Sequence, residues 1–506
     1  MRFSSQTATA APSPVIPEAG RTPPLPPIKL SPGGYFAPHR EFEQNYERVI
    51  NGLADYWIAQ MQKTGKRLPV LVLMDDSPLG KRYLPRVIAS LNERQLDVYT
   101  HKTNTLGETP LPLGYLGFFV KNFKQFNFTD EAVVGGVMLT AGSRSWDVGG
   151  IRFVNRNGAL FSFDERYFLE NSIFRQENLK LEINSKNNRG KRIDVDLEKG
   201  VYFKHLIQLI NYNRLELSKA YPFHDARHGA TRNEFQKRIP PSKHLSVIHD
   251  NYNDADRPPE KMKGTPGLSE NDLQELKKVM KQEPQAGQHV LGVAHNMDGS
   301  QVRALDETGK PLSQSELLAL LLYHLVVNKK RHGVLVKSHA VSGLVNELAS
   351  DLGIPTVTTP THFEHGAEVF QHHQRPVLLA GDGQGGITIQ GHVPVKDGLL
   401  ASYLLMELMA YVKKPLGEIL EGIKGRLTRF YQSERYICET EDASRIFEYF
   451  QKLARVGGWL QGRCVDLSAT QRWNSFLKFV ASCAMPCIMK RISLTQLEAI
   501  VIYKLY

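Results

Sequence analysis

Short apolar runs separated by segments of helical spacing recur along most of this chain, and that alternation restricts the fold more than any other feature. Residues 68–74 form a continuous apolar run of strand length. Before it, residues 41–63 carry apolar side chains at helical intervals (Tyr46, Val49, Ile50, Leu53, Trp57, Met61), and residues 84–96 repeat that spacing. A strand at 137–139 and a helix at 165–174 follow. The pattern then resumes with helices at 199–213 and 270–281, the latter capped by Ser269, and strands at 289–294 and 302–306. A third round has helices at 314–328 and 342–352, strands at 333–337 and 356–359, and a long apolar helix from Leu399. Uninterrupted apolar strands mean burial on both faces, and alternation with helices means parallel pairing, so covered α/β sheets are expected. The three units share no repeat at the level of residues.

At 506 residues the chain has room for three or four domains. Hydrophobic residues make up 41% and charged residues 23%, which suits large buried cores. The formal charge of +11 favours an anionic partner. Lys and Arg are nevertheless scattered among acids, with KNNRGKR (186–192) the one dense run, which reads as a solvated turn. Nucleic acid is therefore not expected, whereas a small anion such as a sugar phosphate is compatible. Cys438, Cys464, Cys483 and Cys487 form no paired CxxC pattern and read as reduced thiols of a cytoplasmic protein. No apolar run approaches the ~18 residues of a spanning helix, and no signal-peptide core opens the chain, so no membrane association is expected. Residues 1–33 are rich in Pro, Ser, Thr and Ala and read as an extended tail whose PPLPP string offers a route to a protein partner.

The stretch from Val137 to Gly158, VMLTAGSRSWDVGGIRFVNRNG, runs from a strand into a loop of small and hydroxylated residues and back into a strand. Loops of this kind at the carboxyl ends of strands present groups to ligands in α/β proteins. Within it, TAGSRSWDVGGIRF (140–153) resembles the TASHNPxxxNGIKF loop of the phosphohexomutases, the phosphoglucomutase/phosphomannomutase family. DARHGAT (225–231) is similar to that family's DPMHGAG, and AGDGQGGITIQGHVPVKDG (380–398) to its sugar loop, GGEESGGLxIRGHxPxKDG. The resemblance covers roughly residues 35–420, in family order.

The resemblance implies three successive α/β/α domains around one cleft, followed by a smaller, divergent C-terminal α+β domain. The expected divisions are a tail at 1–33, units at 34–190, 191–303 and 304–420, and a last domain at 421–506. It implies hexose-phosphate chemistry, in which a phosphoryl group moves between the 1- and 6-positions through a phosphoserine and a sugar bisphosphate, with Mg²⁺ in a DxDxDR loop. Charge in such a transfer spreads over several oxygens, so a cation and Arg or Lys groups must surround an oxygen nucleophile.

Residue by residue the match is incomplete. Gly142 stands at the nucleophile position, and Ser143, one place later, is the candidate hydroxyl; Arg152 stands at a Lys position. The metal loop maps to Asn296, Asp298 and Ser300, with Gln301 where Arg is usual, leaving one carboxylate for a Mg²⁺ ion that needs oxygen ligands. NDADR (253–257) is a second DADR-like string and reads as a surface turn. In the sugar loop Asp382 and Gln384 replace Glu and Ser, while His392 and Lys396 are retained. Ser143, Arg152 and His392 are carried over as catalytic residues, and Asp382, Gln384 and Lys396 as substrate ligands. PTHFEHG, with His362 and His365, reads as a solvated loop. No RPSGT-like loop follows residue 420. Two functions stay open: a catalytically impaired member that retains hexose-phosphate or sugar-bisphosphate binding with no metal, and an active, Mg²⁺-dependent phosphohexomutase using Ser143.

Overall fold

A computed structural model describes residues 27–102, 110–126, 132–179, 189–197, 200–232, 246–248, 268–282, 287–427, 431–438 and 498–505. The run Val70–Met74 is fully buried and forms strand β2, parallel to β3 (Val98–His101) on one side and to β4 (Gly135–Leu139) on the other. Alternate residues serve opposite cores. Val70, Val72 and Met74 join one cluster with the helices Pro78–Glu93 and Phe163–Arg175 and with His39–Thr64. Leu71 and Leu73 join a second cluster with the helix Leu113–Asn122. Both faces are covered, which is why the strand reads as unbroken apolar sequence. The sheet is completed by β1 (Tyr35–Pro38), β5 (Val148–Asn155) and β6 (Arg192–Val195), in the order β1-β5-β4-β2-β3-β6.

Two smaller sheets follow. One has β7 (Ala220–Asp225), β8 (Ser246–Ile248), β9 (His289–His295) and β10 (Val302–Leu305), ordered β10-β9-β7-β8. The other has β11 (Val334–Ser338), β12 (Thr356–Thr359), β13 (Val377–Gly381) and β14 (Ile387–Ile389), ordered β12-β11-β13-β14. All three sheets share a device. A strand with a parallel neighbour (β4, β9, β13) turns back as an antiparallel partner (β5, β10, β14), and the turn projects one loop. Each return leads to a side-chain-capped helix. Ser162 and Glu165 form a capping box, Ser313 and Glu316 another, and Asp397 accepts from Leu400 N.

The helix Gly398–Val412 packs against both β9 and β10 of the second sheet and β14 of the third. Two-sided cover explains why it is apolar nearly all round, with thirteen consecutive residues buried from Gly398 to Ala410. Its one buried acid, Glu407, accepts from Lys329 Nζ at 2.5 Å and pairs with His324 at 2.8 Å. The largest hydrophobic cluster draws on all three sheets, with Met138, Val293 and Leu379 among its members.

The expected α/β architecture is therefore observed, with local corrections. Residues 27–33 belong to the folded body: Leu30 is buried, and its N–H donates to Glu170 Oε1 at 2.6 Å. Arg192–Val195, which the expected border at 190 puts in the second unit, is an edge strand of the first sheet, parallel to β3. The helix expected at 314–328 is α-helical to Tyr323 and ends in a π-turn, His324–Asn328. PTHFEHG is not a plain loop, since Phe363–His372 is helical. The strands β15 (Tyr431–Cys438) and β16 (Glu498–Leu505) pair antiparallel. NDADR and most of the C-terminal domain expected at 421–506 lie outside the described residues. Among the described residues no helix is long and apolar enough to cross a membrane.

Candidate functional site

The first return loop, 140–147, is braced from within. Thr140 N donates to Gly150 O at 3.0 Å, and Gly142 N to Thr140 Oγ1 at 2.7 Å. From the end of β2, Asp75 accepts from Ser77 N at 2.9 Å and from Ala141 N at 3.2 Å. Gly142 adopts φ +63, the left-handed region where a side chain is strained. Its carbonyl accepts from Met297 N at 3.1 Å, which locks the first loop to the second.

That second loop, 296–301, closes the contact. Ser143 Oγ donates to Gln301 Oε1 at 2.6 Å and accepts from Asn296 Nδ2 at 3.0 Å. Asn296, Asp298 and Ser300 are fully buried. Asp298 Oδ2 receives Arg152 Nε at 2.8 Å and the Thr140 hydroxyl at 3.3 Å. Its Oδ1 receives Asn296 Nδ2 at 2.9 Å and Ser300 N at 3.1 Å. Burial pushes the Asp298 carboxyl up, but Arg152 and Ser300 together hold it below its ordinary value. Burial pushes Asp75 up to about 7 against the hydrogen bonds of Ser77 and Thr140, and the Asp298 charge adds to the rise.

The third loop, 382–386, carries a separate cluster. Asp382 Oδ1 accepts from Gln384 N and Gly386 N, each at 2.8 Å, and Oδ2 pairs with Lys396 Nζ at 2.9 Å. The Gln384 side chain is exposed. Lys396 lies 5.5 Å over the Phe363 ring. Burial lowers His362, whose neighbouring charges are Glu364, Lys396, Asp382 and Arg166. The third loop reaches the strand that leaves the second, Val302 N donating to Gly385 O at 3.4 Å, and the start of the helix that follows it meets the second loop, Gly398 N donating to Gly299 O at 2.9 Å.

Three loops from three sheets thus meet, in a chain that is similar to known proteins over much of its length. A family profile, phosphoglucomutase/phosphomannomutase α/β/α domain III, matches residues 313–425. A phosphoglucosamine mutase of Methanocaldococcus jannaschii is 22% identical over 362 residues, covering 69% of this chain and 71% of the relative. One from Rubrobacter xylanophilus is 30% identical over 132 residues, covering 26% and 29%. The chain belongs to the phosphohexomutase family. The fold is shared with parafusin, a phosphoglucomutase from Paramecium in its open form, at TM-score 0.67 and 16% identity over 86% of this chain and 81% of that one. A phosphoglucomutase/phosphomannomutase family protein from Burkholderia thailandensis aligns at TM-score 0.64 and 15% identity, covering 82% and 83%.

Five of the residues singled out from the sequence of this phosphohexomutase relative come together: Ser143, Arg152, Asn296, Asp298 and Ser300. Asp382 and Lys396 form the neighbouring cluster, with Gln384 at its rim. His392 sits elsewhere. Its ring is buried, with Nδ1 2.9 Å from His205 Nε2 and Nε2 3.1 Å from Asp397 Oδ2, and Tyr202 donates to the same Asp397 oxygen. Burial and the adjoining His205 keep its pKa well below the ordinary histidine value, and burial pushes Asp397 up to about 7.

Sequence reasoning passed over Arg144, Asp75 and Thr140, and it named Gln301 only as a departure from the family's Arg. Asp75 had a signal, its place at the carboxyl end of a parallel strand. Arg144 had none, because its position depends on stacking 3.5 Å over Phe36, a residue distant in sequence.

The family implies Mg²⁺ at the second loop, and the donor set here does not fit it. Asn296 Oδ1 is turned to Gln301 N at 2.9 Å, so the amide nitrogen faces the loop interior. There it donates to Ser143, Asp298 and Ser300. A Mg²⁺ ion requires converging oxygens, whereas this loop presents N–H donors around one carboxylate already paired with Arg152. Among the described residues no group of three or more His, Cys, Asp or Glu is placed to hold a metal.

Proposed function

We propose that this phosphohexomutase-family protein binds a hexose phosphate or sugar bisphosphate in its three-loop cleft without carrying a phosphoryl group itself. The observation that supports it most is Gly142: the nucleophile position has no hydroxyl, and its left-handed backbone disfavours one. The adjacent Ser143 hydroxyl is engaged on both sides by Gln301 and Asn296. Asp382, Lys396 and Gln384 are the sugar-facing groups in this reading. The phosphoglucosamine mutase relatives make amino-hexose phosphates candidate ligands alongside glucose and mannose phosphates. The setting proposed is cytoplasmic.

A second reading keeps catalysis and uses Ser143, and it is favoured by the direct contact of that hydroxyl with the second loop. One set of measurements separates the two. Glucose 1-phosphate, mannose 1-phosphate and glucosamine 1-phosphate are assayed for mutase turnover with Mg²⁺ and the matching bisphosphate primer. The purified protein is weighed intact for a phosphoryl adduct, and melting is followed with each sugar phosphate. The binding reading expects no turnover, no adduct and a raised melting temperature with at least one ligand. Turnover lost in Ser143→Ala would establish the second reading, and no thermal shift with any ligand would remove the first.

A further inference from the structure

We propose that Arg152 is the built-in cation of this cleft and that, together with Arg144, it seats a phosphate monoester in front of Gly142 without a divalent metal. The sugar identity of the natural ligand rests on the reading above; the seat itself rests on the geometry of the loops.

The first part of the argument is occupancy. Asp298 is the one carboxylate among the alternating positions 296, 298 and 300, and each of its oxygens already accepts two hydrogen bonds. Its counter-charge is a guanidinium 2.8 Å away with a side chain only 6% exposed. A fixed cation of the protein thus neutralises the loop, and the inward N–H groups of Asn296 repel a second one.

The second part is direction. A Cβ built on Gly142 would lie 3.0 Å from Arg152 Nη2, 3.7 Å from Arg144 Nη1 and 3.9 Å from Asp298 Oδ2. A side chain at this position would press on Arg152 Nη2, with the Arg144 guanidinium at ordinary contact distance, so two guanidinium groups border the place where Gly142 carries none. Arg152 spends Nε on Asp298 and points Nη1 at Gly33 O, 3.4 Å away, leaving Nη2 toward Gly142. Arg144 lies flat on Phe36 at 3.5 Å, and its guanidinium has no hydrogen-bond acceptor among the described residues. Burial and the Arg152 charge lower Arg144 to about 10, so it stays protonated at neutral pH.

Two planar forks with unspent N–H donors converging on one small volume match the oxygens of a phosphate. The other charges nearby are accounted for: Asp298 balances one Arg, and Glu364 approaches the far edge of Arg152 across Gly33. The missing side chain is part of the design, because a ligand phosphate can reach the guanidinium groups only where no Cβ stands.

Calorimetry on the full chain tests this with inorganic phosphate, glucose 1-phosphate and glucose 1,6-bisphosphate, each in EDTA and in excess Mg²⁺. Mn²⁺ alone is titrated in parallel and followed by its EPR signal. The expected result is phosphate binding that EDTA changes less than twofold, no Mn²⁺ bound by the wild type, and a tenfold or greater loss of phosphate affinity in Arg144→Gln, a variant that breaks no internal hydrogen bond. Binding that appears only with Mg²⁺, or saturable Mn²⁺ uptake lost in Asp298→Asn, would overturn the proposal while leaving the hexose-phosphate reading intact. Inorganic phosphate bound in EDTA with every sugar phosphate refused would uphold the seat and sink the sugar reading. Refusal of all three phosphates would overturn the seat.

Discussion

Replacing Arg152 by Met removes the one cation that forms an ion pair with the fully buried Asp298 among the described residues, and the size of the effect follows from the contacts. At charge centres about 4 Å apart and an effective dielectric of ~20, the attraction lost is about 4 kcal/mol. Asp298 keeps hydrogen bonds from Thr140, Asn296 and Ser300, which offset part of that loss. A net destabilisation of about 3 kcal/mol is expected, at the lower end of what broken buried pairs cost. Asp298→Asn alone should cost about 2 kcal/mol, because Arg152 loses its acceptor. The double variant should be less damaged than the sum of the two by about 2 kcal/mol, since neither charge is left stranded. A chain of several units does not unfold in one step, so the measurement should report locally. Trp146 packs on Met297 across the seam between the first two loops, and its emission during urea unfolding, with Trp146→Phe as the control, provides that report. An Arg152→Met cost below about 1 kcal/mol, or a coupling within ~0.5 kcal/mol of zero, would refute the view that this guanidinium carries the charge balance of the loop.

Asp75 supplies a pH signature. Its folded pKa of about 7 lies above the ordinary 3.8, so the proton is held more tightly in the folded state, and the stability it contributes is lost as pH rises from about 4 through 7. Buried histidines such as His224 and His392, with lowered pKa values, act oppositely below about pH 6.5, so the difference between wild type and Asp75→Asn is the quantity to follow. The variant should gain about 3 kcal/mol on the wild type between pH 5 and pH 8 in urea titrations, and a flat difference would contradict the shift. Gly142→Ser should destabilise by about 1–2 kcal/mol because a side chain is forced to φ +63, and intact mass should show no phosphoryl adduct. His392→Ala should lower the melting temperature, at a cost of roughly 2–4 kcal/mol, by emptying a closed site beside Tyr202 and Asp397. The same variant should change glucose 1-phosphate affinity less than threefold, read by calorimetry.

How much of this was legible in the sequence depended on whether a signal was local. The strand Val70–Met74 announced itself through an unbroken apolar run, and the helix Pro78–Glu93 through its periodic face, although its start at Ser77 and Pro78 lies several residues before the expected span of 84–96. The edge strand Arg192–Val195 did not, because its burial alternates between exposed and intermediate and its partner β3 is some ninety residues earlier. In the site, spacing was enough to pair Ser143 with the 296–301 loop through family order. It was not enough to show that Asn296 turns its nitrogen inward, since that orientation is set by the Gln301 backbone. His392 illustrates the converse: a motif residue kept in register whose ring is committed to His205 and neighbours Asp397 beneath the surface.

The helix Gly398–Val412 is shared property of the second and third sheets, and this makes the usual idea of a detachable module inapplicable here. The span that matches the family profile, 313–425, contains the helix but not β9 and β10, the strands that cover one of its sides. Excised alone, that span would present a greasy flank to water and invite self-association, so the borders along which evolution aligns this chain are not borders along which it can be cut.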